Sequence, residues 1–193
     1  MIVQPLPAMT SRTALLIIDV QHMMCNGRYA CHDIDNVIGR LNGLAEEARA
    51  AGVPVIFVQH EDDEDGGLQH GTEAWQLDSR LDVKAGDPRI RKTSPDSFHR
   101  TDLDALLRML GIRHLVIGGL QSDYCVDTTV RRALSSGYDV TLAADAHSTI
   151  DDGELTAAQI SAHHTRILSH LNSFGPSMAA VPAASIRFAR QQG

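Results

Sequence analysis

One stretch of the sequence decides the fold: residues 114–140, which read HLVIGGLQSDYCVDTTVRRALSSGYDV. It opens with the apolar run 115–117, which is typical of a buried strand in a parallel sheet. Gly118 and Gly119 follow, and glycines at such a place are expected to end the strand and allow a sharp turn. The start of the stretch therefore predicts a strand that delivers the chain into a tight loop.

The rest of the stretch predicts a helix with a cysteine near its beginning. Ser122 and Asp123 are residue types that cap helix N-termini, residues 126–134 have helical spacing, and Gly137 ends the helix. Cys125 is then expected at or near the first turn, where unpaired N–H groups and the helix dipole lower a thiol pKa and can hold an oxyanion. A reactive cysteine is the first hypothesis. The alternative is that Cys125 packs as a small buried hydrophobic residue.

Composition bounds the class of protein. The 193 residues, 43% hydrophobic and 21% charged, predict one globular domain over residues 1–193. The formal net charge is −7 and the 17 basic residues are dispersed, so no nucleic-acid partner is expected. No apolar run approaches the roughly 18 residues that span a bilayer, so no membrane partner is expected either.

The cysteines and the N-terminus predict a cytoplasmic protein. Three cysteines without framework spacing argue against a disulfide scaffold and favour a reducing compartment. The first residues, MIVQPLPAMTSRT, lack the charged-then-apolar layout of a signal peptide.

The remaining segments alternate between strand and helix patterns. This alternation is typical of a three-layer α/β/α domain with a mostly parallel sheet. Strands are predicted over 14–20, 55–58, around Ile90, over 138–144 and over 179–181, and further helices over 35–50, 102–110 and 155–171.

Polar residues stand at the carboxyl ends of four predicted strands. These residues are Asp19, His60, Lys92 and Cys125. Ligands of open parallel sheets bind at that edge, at the point where the strand order reverses. Packing alone does not account for four such placements, so the sequence predicts an active site there.

A carboxylate, an ammonium and a thiol that lie together suit nucleophilic catalysis. Lys92 would stabilise the Cys125 thiolate, and Asp19 would take the thiol proton and return it to a leaving amine. N–H groups of the turn would receive the developing oxyanion. The alternative for Asp19 and Lys92 is a structural ion pair.

Three motifs resemble the isochorismatase-like cysteine hydrolase superfamily: IIDVQ with Asp19, Lys92 followed by Phe98, and GGLQSDYCVDTT with Cys125. The resemblance runs from about residue 14 to residue 167 and implies an Asp–Lys–Cys triad at Asp19, Lys92 and Cys125. It implies a six-stranded parallel sheet with helices on both faces, and a homodimer or homotetramer. It also implies a cis peptide at Leu120–Gln121 and an oxyanion hole formed by the N–H groups of Gln121 and Cys125.

The resemblance implies hydrolysis of a C–N bond in a small molecule, namely an amide, a carbamoyl compound or a lactam. The metal-binding Asp-x-His of the family's nicotinamidases is missing after the second strand, so no metal or other cofactor is expected, although His60 and His70 stand beside acidic residues. The substrate pocket is expected to be lined by Gln21, His60, Trp75, Phe98, Gln121 and Tyr124. Trp75 and Phe98 are alternatively core or interface residues.

Three other functions remain open at this point. One is hydrolysis of a vinyl ether, as in isochorismatases proper, which do not use the cysteine as nucleophile. Another is a thiol-redox or ligand-sensing protein on the same scaffold, for which Cys25 is the candidate resolving cysteine. The third is a catalytically silent scaffold protein.

Overall fold

Six parallel strands form a single sheet in the computed structural model, which describes residues 12–62 and 66–190. The strand order is β3-β2-β1-β4-β5-β6, and every neighbouring pair is parallel. The order reverses between β1 and β4, which makes the carboxyl edge between them the expected ligand site. The strands are β1 Thr13–Ile18, β2 Val55–His60, β3 Arg89–Lys92, β4 His114–Leu120, β5 Asp139–Ser148 and β6 Met178–Val181.

Helices cover both faces of the sheet, as predicted. On one face α2 contributes Val37, Leu41 and Leu44 to an apolar core. On the other face α3, α4 and α5 form a second core, to which Leu107 and Leu134 belong. The α-helices are α1 His22–Cys25, α2 Ile34–Ala50, α3 Leu103–Met109, α4 Asp127–Ser135 and α5 Ala157–Ser169.

The central stretch differs from the prediction at two points. Strand β4 does not end at the glycines but continues through them to Leu120, and all seven of its residues are buried. The turn that follows is a π-helical segment, Ser122–Val126, and α4 begins only at Asp127. Ser122 and Asp123 lie inside that segment rather than at an N-cap, because the strand carries the chain further before the helix begins.

Gly119 is required by a close approach between β4 and β1. Its φ is +123°, and a Cβ atom at this position would lie 2.1 Å from the carbonyl oxygen of Ile18. A contact that short between a side chain and backbone cannot be relieved without moving a central strand. The absence of a side chain here lets the two strands that flank the site lie side by side.

Gly119→Ala is expected to lower the free energy of unfolding by about 3 kcal/mol or more, through a backbone clash and an unfavourable φ. The matched control is Gly39→Ala in α2, where a Cβ would meet nothing within 4 Å. That substitution is expected to stabilise by up to about 1 kcal/mol, because alanine has the higher helix propensity. Urea unfolding monitored by circular dichroism measures both, and equal effects of the two variants would contradict the close approach.

Within the described ranges, each helix is too short or too polar to cross a bilayer.

Candidate active site

The structure brings the four predicted polar side chains together at the carboxyl edge of the sheet. Asp19 directly follows β1, His60 and Lys92 are the last residues of β2 and β3, and Cys125 lies in the π-helical segment after β4. The side chains of Asp19 and Lys92 are completely buried. Four side chains at the ends of four different strands, spread between residues 19 and 125, therefore meet at the switch point of the sheet.

The Lys92 ammonium is the centre of this cluster. Its Nζ lies 2.6 Å from Asp19 Oδ2 and 3.2 Å from Cys125 Sγ. It also lies 3.2 Å from His60 Nδ1. An ammonium has three N–H donors and no acceptor, so each of its protons has one of these partners.

His60 is held between a cation and an anion. Because Lys92 can only donate, Nδ1 of His60 accepts from it, and the ring proton is then on Nε2. Nε2 lies 3.1 Å from Asp62 Oδ1, where this proton can be donated. Both ring nitrogens are engaged, so His60 contacts the neighbouring space through its ring carbons.

The thiol pKa is shifted opposite to the expectation from the helix terminus. Burial, and next the negative charge of Asp19, raise the pKa of Cys125 to about 12, and the opposing effect of Lys92 is smaller. Burial by itself would lower the pKa of Lys92, but the charges of Asp19 and Cys125 outweigh it and raise that pKa. Both raised pKa values keep the Cys125 thiol and the Lys92 ammonium protonated at neutral pH.

A cavity of about 300 Å³ opens beside the sulfur of Cys125. Asp19, His60 and Gln121 border it together with Cys125, and apolar or aromatic side chains supply the rest of the wall. These other lining residues are Met23, Met24, Tyr29, Leu68, Pro95, Tyr124 and Ile150.

Three of the six predicted pocket residues line this cavity, namely His60, Gln121 and Tyr124. Phe98 instead packs in the core, with its ring centroid 5.9 Å from that of Tyr138. Trp75 is buried against the ring of His70, and Gln21 is fully buried. Gln21, Trp75 and Phe98 are therefore not part of the cavity wall.

The Gln21 side chain forms hydrogen bonds with the backbone at the end of β2. Its Nε2 donates to the carbonyls of His60 and Trp75, at 2.8 and 2.9 Å, and its Oε1 accepts from the His60 N–H at 2.9 Å. The side-chain amide thus satisfies both backbone groups of His60. This fixes the residue that receives the third proton of Lys92.

The residues that hold the segment around Cys125 in place were not identified from the sequence. Ser122 Oγ lies 2.7 Å from His147 Nδ1 and 2.9 Å from Ser161 Oγ, and His147 Nε2 lies 2.9 Å from Thr165 Oγ1. His147 is in β5, which extends beyond its predicted end at residue 144, and Ser161 and Thr165 are in α5. Because β5 was predicted to end at residue 144, His147 was not placed in the sheet and this network was not predicted.

The other unpredicted residues are the apolar lining residues. Met23 and Met24 lie in α1, four and five residues after Asp19, so their nearness to Asp19 in the sequence was an available signal. Leu68 and Ile150 lie in loops without periodicity, and nothing in the pattern distinguishes them. Residues 63–65 of the acidic segment lie outside the described part of the chain.

The peptide bond between Leu120 and Gln121 is cis. The assignment of an oxyanion hole to the N–H groups of Gln121 and Cys125 stays a prediction, as do the chemical roles of the triad.

Asp19, His60 and Cys125 are the described residues that could together hold a metal ion, with ligand atoms within 4.8 Å of one another. The Lys92 ammonium contacts all three side chains, at 2.6 to 3.2 Å. These donors therefore already share a positive charge, and a metal ion would have to displace the lysine.

Comparison with known proteins places the chain in a family. The family model described as "Isochorismatase domain" matches residues 13–169, which include every element from β1 to α5. The chain belongs to the isochorismatase family. Its fold also agrees with that family: an isochorismatase structure from Pseudomonas putida KT2440 is 32% identical, has a TM-score of 0.84, and is matched over 93% of this chain and 92% of that one.

Among the proteins that the chain matches, a streptothricin hydrolase from Streptomyces noursei is 38% identical over 141 residues, which are 72% of this chain. The ureidoacrylate amidohydrolase RutB from Caulobacter vibrioides is 31% identical over 179 residues, covering 74% of this chain and 80% of that protein. This chain spans about half the length of two streptothricin hydrolases that it matches, 50% and 55%.

Proposed function

We propose that this isochorismatase-family protein is a cysteine hydrolase that cleaves a C–N bond of a small molecule, with Cys125 as nucleophile, Asp19 as general base and acid, and Lys92 as the stabilising cation. The observation that carries the proposal is the position of the Lys92 ammonium, within 3.2 Å of both the Asp19 carboxylate and the Cys125 sulfur. Cys125 also borders the cavity. A carboxylate, an ammonium and an accessible thiol are the parts that such chemistry needs.

The first half of the proposed reaction forms a thioester. As the Cys125 sulfur attacks the carbonyl carbon, the thiol proton passes to Asp19, and the carbonyl oxygen becomes an oxyanion near the N–H groups of Gln121 and Cys125. When the oxyanion collapses, the C–N bond breaks and the leaving nitrogen takes the proton from Asp19. The Lys92 ammonium offsets negative charge on the sulfur during the attack.

The second half returns the enzyme to its starting state. A water molecule attacks the thioester carbon and gives one proton to Asp19, and the new tetrahedral intermediate collapses by breaking the C–S bond. The Asp19 proton then passes to the sulfur, and a carboxylic or carbamic acid leaves. The raised pKa of Cys125 supports this order of events, since a thiol that is protonated at rest needs a base within reach when it attacks.

The relatives support the bond class. The streptothricin hydrolase and the ureidoacrylate amidohydrolase are named for hydrolytic reactions, the second explicitly as an amidohydrolase. An amide, a carbamoyl compound or a lactam is accordingly the proposed substrate for this chain.

A screen of primary amides, carbamoyl compounds and lactams tests the proposal by two readouts. We expect ammonia or amine release from at least one class, together with a mass increase equal to the acyl group on the peptide that contains Cys125 after acid quenching. Cys25 and Cys31 are internal controls, because both are buried and neither borders the cavity. Turnover with an acyl adduct on Cys25 or Cys31, or turnover that survives complete alkylation of Cys125, would contradict the mechanism.

A further inference from the structure

We propose that the site selects neutral substrates with an apolar acyl group and discriminates against substrates that carry a carboxylate in that group. This inference rests on the proposed function, because it concerns the substrates of that reaction. Its physical content, the charge preference of the cavity beside Cys125, can be measured without any turnover.

The cavity wall is mainly hydrocarbon, sulfur and aromatic ring. Met24, Leu68 and Ile150 present apolar side chains, and Tyr29 and Tyr124 contribute rings. A group that enters this space loses water without gaining hydrogen bonds from most of the wall. Such a surface favours an apolar group and makes a charged one costly.

The buried Lys92 ammonium, which contacts three lining residues, has no free proton. Lys92 Nζ donates towards Asp19, Cys125 and His60 at 2.6, 3.2 and 3.2 Å. A substrate carboxylate would have to replace one of these partners, and each replacement disassembles the cluster that the chemistry requires. Lys92 is therefore not available to bind an anion.

The described lining residues include a carboxylate and no basic side chain other than the imidazole of His60. Asp19 borders it directly, and Asp62 lies 3.1 Å from the imidazole of His60. Among the lining residues that the structure describes there is no arginine or lysine. A carboxylate in the cavity would thus lie beside Asp19, whose counter-ion Lys92 is already engaged, and would find no free cation in the wall. Binding sites use such an arrangement to reject a ligand.

Arg28 is the one guanidinium that touches a lining residue. Its Cζ lies 4.5 Å from the ring centroid of Tyr29, and its Nη2 donates to the Tyr29 hydroxyl. The Arg28 side chain is exposed, where an ion pair is worth little. Arg28 is not among the residues that line the cavity.

A matched pair of alkylating probes tests the preference: N-hexyl iodoacetamide and N-(5-carboxypentyl) iodoacetamide. They have the same reactive group and nearly the same tail, and they differ in one charge. We measure the labelling rate of Cys125 by peptide mass spectrometry in the folded protein and divide it by the rate at the same cysteine in urea. We expect the normalised rate of the carboxylate probe to be lower by on the order of 100-fold or more. A normalised ratio near one, or a faster carboxylate probe, would overturn the inference.

Two further substitutions identify the source of the preference. Ile150→Lys adds a cation to the wall at a position that is already 39% exposed, and Ile150→Gln is its neutral control. We expect the lysine variant to raise carboxylate labelling by about 10-fold or more and the glutamine variant to leave it nearly unchanged. Equal effects of lysine and glutamine would contradict a charge-based preference.

Arg28→Gln serves as the second check, and it should leave the ratio of the two probes unchanged within about twofold. A marked loss of carboxylate labelling would make Arg28 an anion anchor and overturn the proposal. The labelling result can be distinguished from a test of the proposed function. A charge preference without hydrolysis of any amide would contradict only the proposed function. Hydrolysis with a preference for carboxylates would contradict only this inference.

Discussion

Replacing Cys125 with serine is expected to lower hydrolysis of every accepted amide by about 10³-fold or more, while the free energy of unfolding changes by less than about 1 kcal/mol. The hydroxyl has nearly the shape of the thiol and can still accept from Lys92, so the fold has little reason to change. It is, however, a much weaker nucleophile, because its proton is far harder to remove. Steady-state kinetics and urea unfolding measure the two quantities.

The controls for this prediction are the other two cysteines. Cys25→Ser and Cys31→Ser alter buried thiols that do not border the cavity, so they are expected to lower stability more than turnover per folded molecule. If Cys125→Ser retained more than about a tenth of the activity, the sulfur would not be the nucleophile. A Cys25–Cys125 disulfide after mild peroxide would favour the redox alternative instead.

Breaking the buried ion pair between Asp19 and Lys92 is expected to have the largest effect on stability. Lys92→Met leaves a carboxylate buried beside no cation, and Asp19→Asn leaves an ammonium without its counter-ion. Each single change is expected to cost about 3–5 kcal/mol. Asparagine is the suitable replacement, since residue 19 has φ +52° and asparagine tolerates this region.

The double variant Asp19→Asn/Lys92→Met separates stability from chemistry. With both charges removed, most of the lost unfolding free energy should return, giving a coupling energy of about 2 kcal/mol or more. Hydrolysis should stay absent, because neither the base nor the cation is present. Additive losses in the double variant would show that the two side chains do not stabilise each other.

The same variants shift the thiol pKa in opposite directions. Asp19 raises the pKa of Cys125 and Lys92 lowers it. At pH 8 the asparagine variant should therefore react faster with iodoacetamide than the native protein, although its hydrolysis is lost, and the methionine variant should react more slowly. Slower alkylation of the asparagine variant would mean that Asp19 is needed for every reaction of the sulfur.

The sequence was sufficient to predict the architecture and the convergence of the cluster, for a simple reason. Asp19, His60, Lys92 and Cys125 each stand at the end of an apolar run, and parallel strands bring such ends to one edge. The pattern of apolar runs predicts the order of strands and helices correctly, even though individual strand ends were misplaced by a few residues. Residues 138–148 show the limit, since a strand that continues through polar residues has no clear end in the sequence.

Side-chain direction and ionisation were harder to predict. Gln21 follows Asp19 by two residues and was expected in the pocket. Its side-chain amide instead forms hydrogen bonds with the backbone N–H and carbonyl of His60 and is buried. Phe98 follows Lys92, yet its ring packs into the core below. The sign of the Cys125 shift depended on the degree of burial and on the Asp19 distance, and neither quantity is available before the strands are assembled.

The buried imidazole of His147 makes the stability of this protein sensitive to acid. Burial lowers the pKa of His147 to about 4, so the ring stays uncharged in the native state at neutral pH. An unfolded chain takes up that proton near pH 6.5, and stability is therefore progressively lost as the medium is acidified from there towards pH 4. Since the same ring joins Ser122 to the last helix, protonation would weaken the support of the sulfur and the anchoring of that helix in one step.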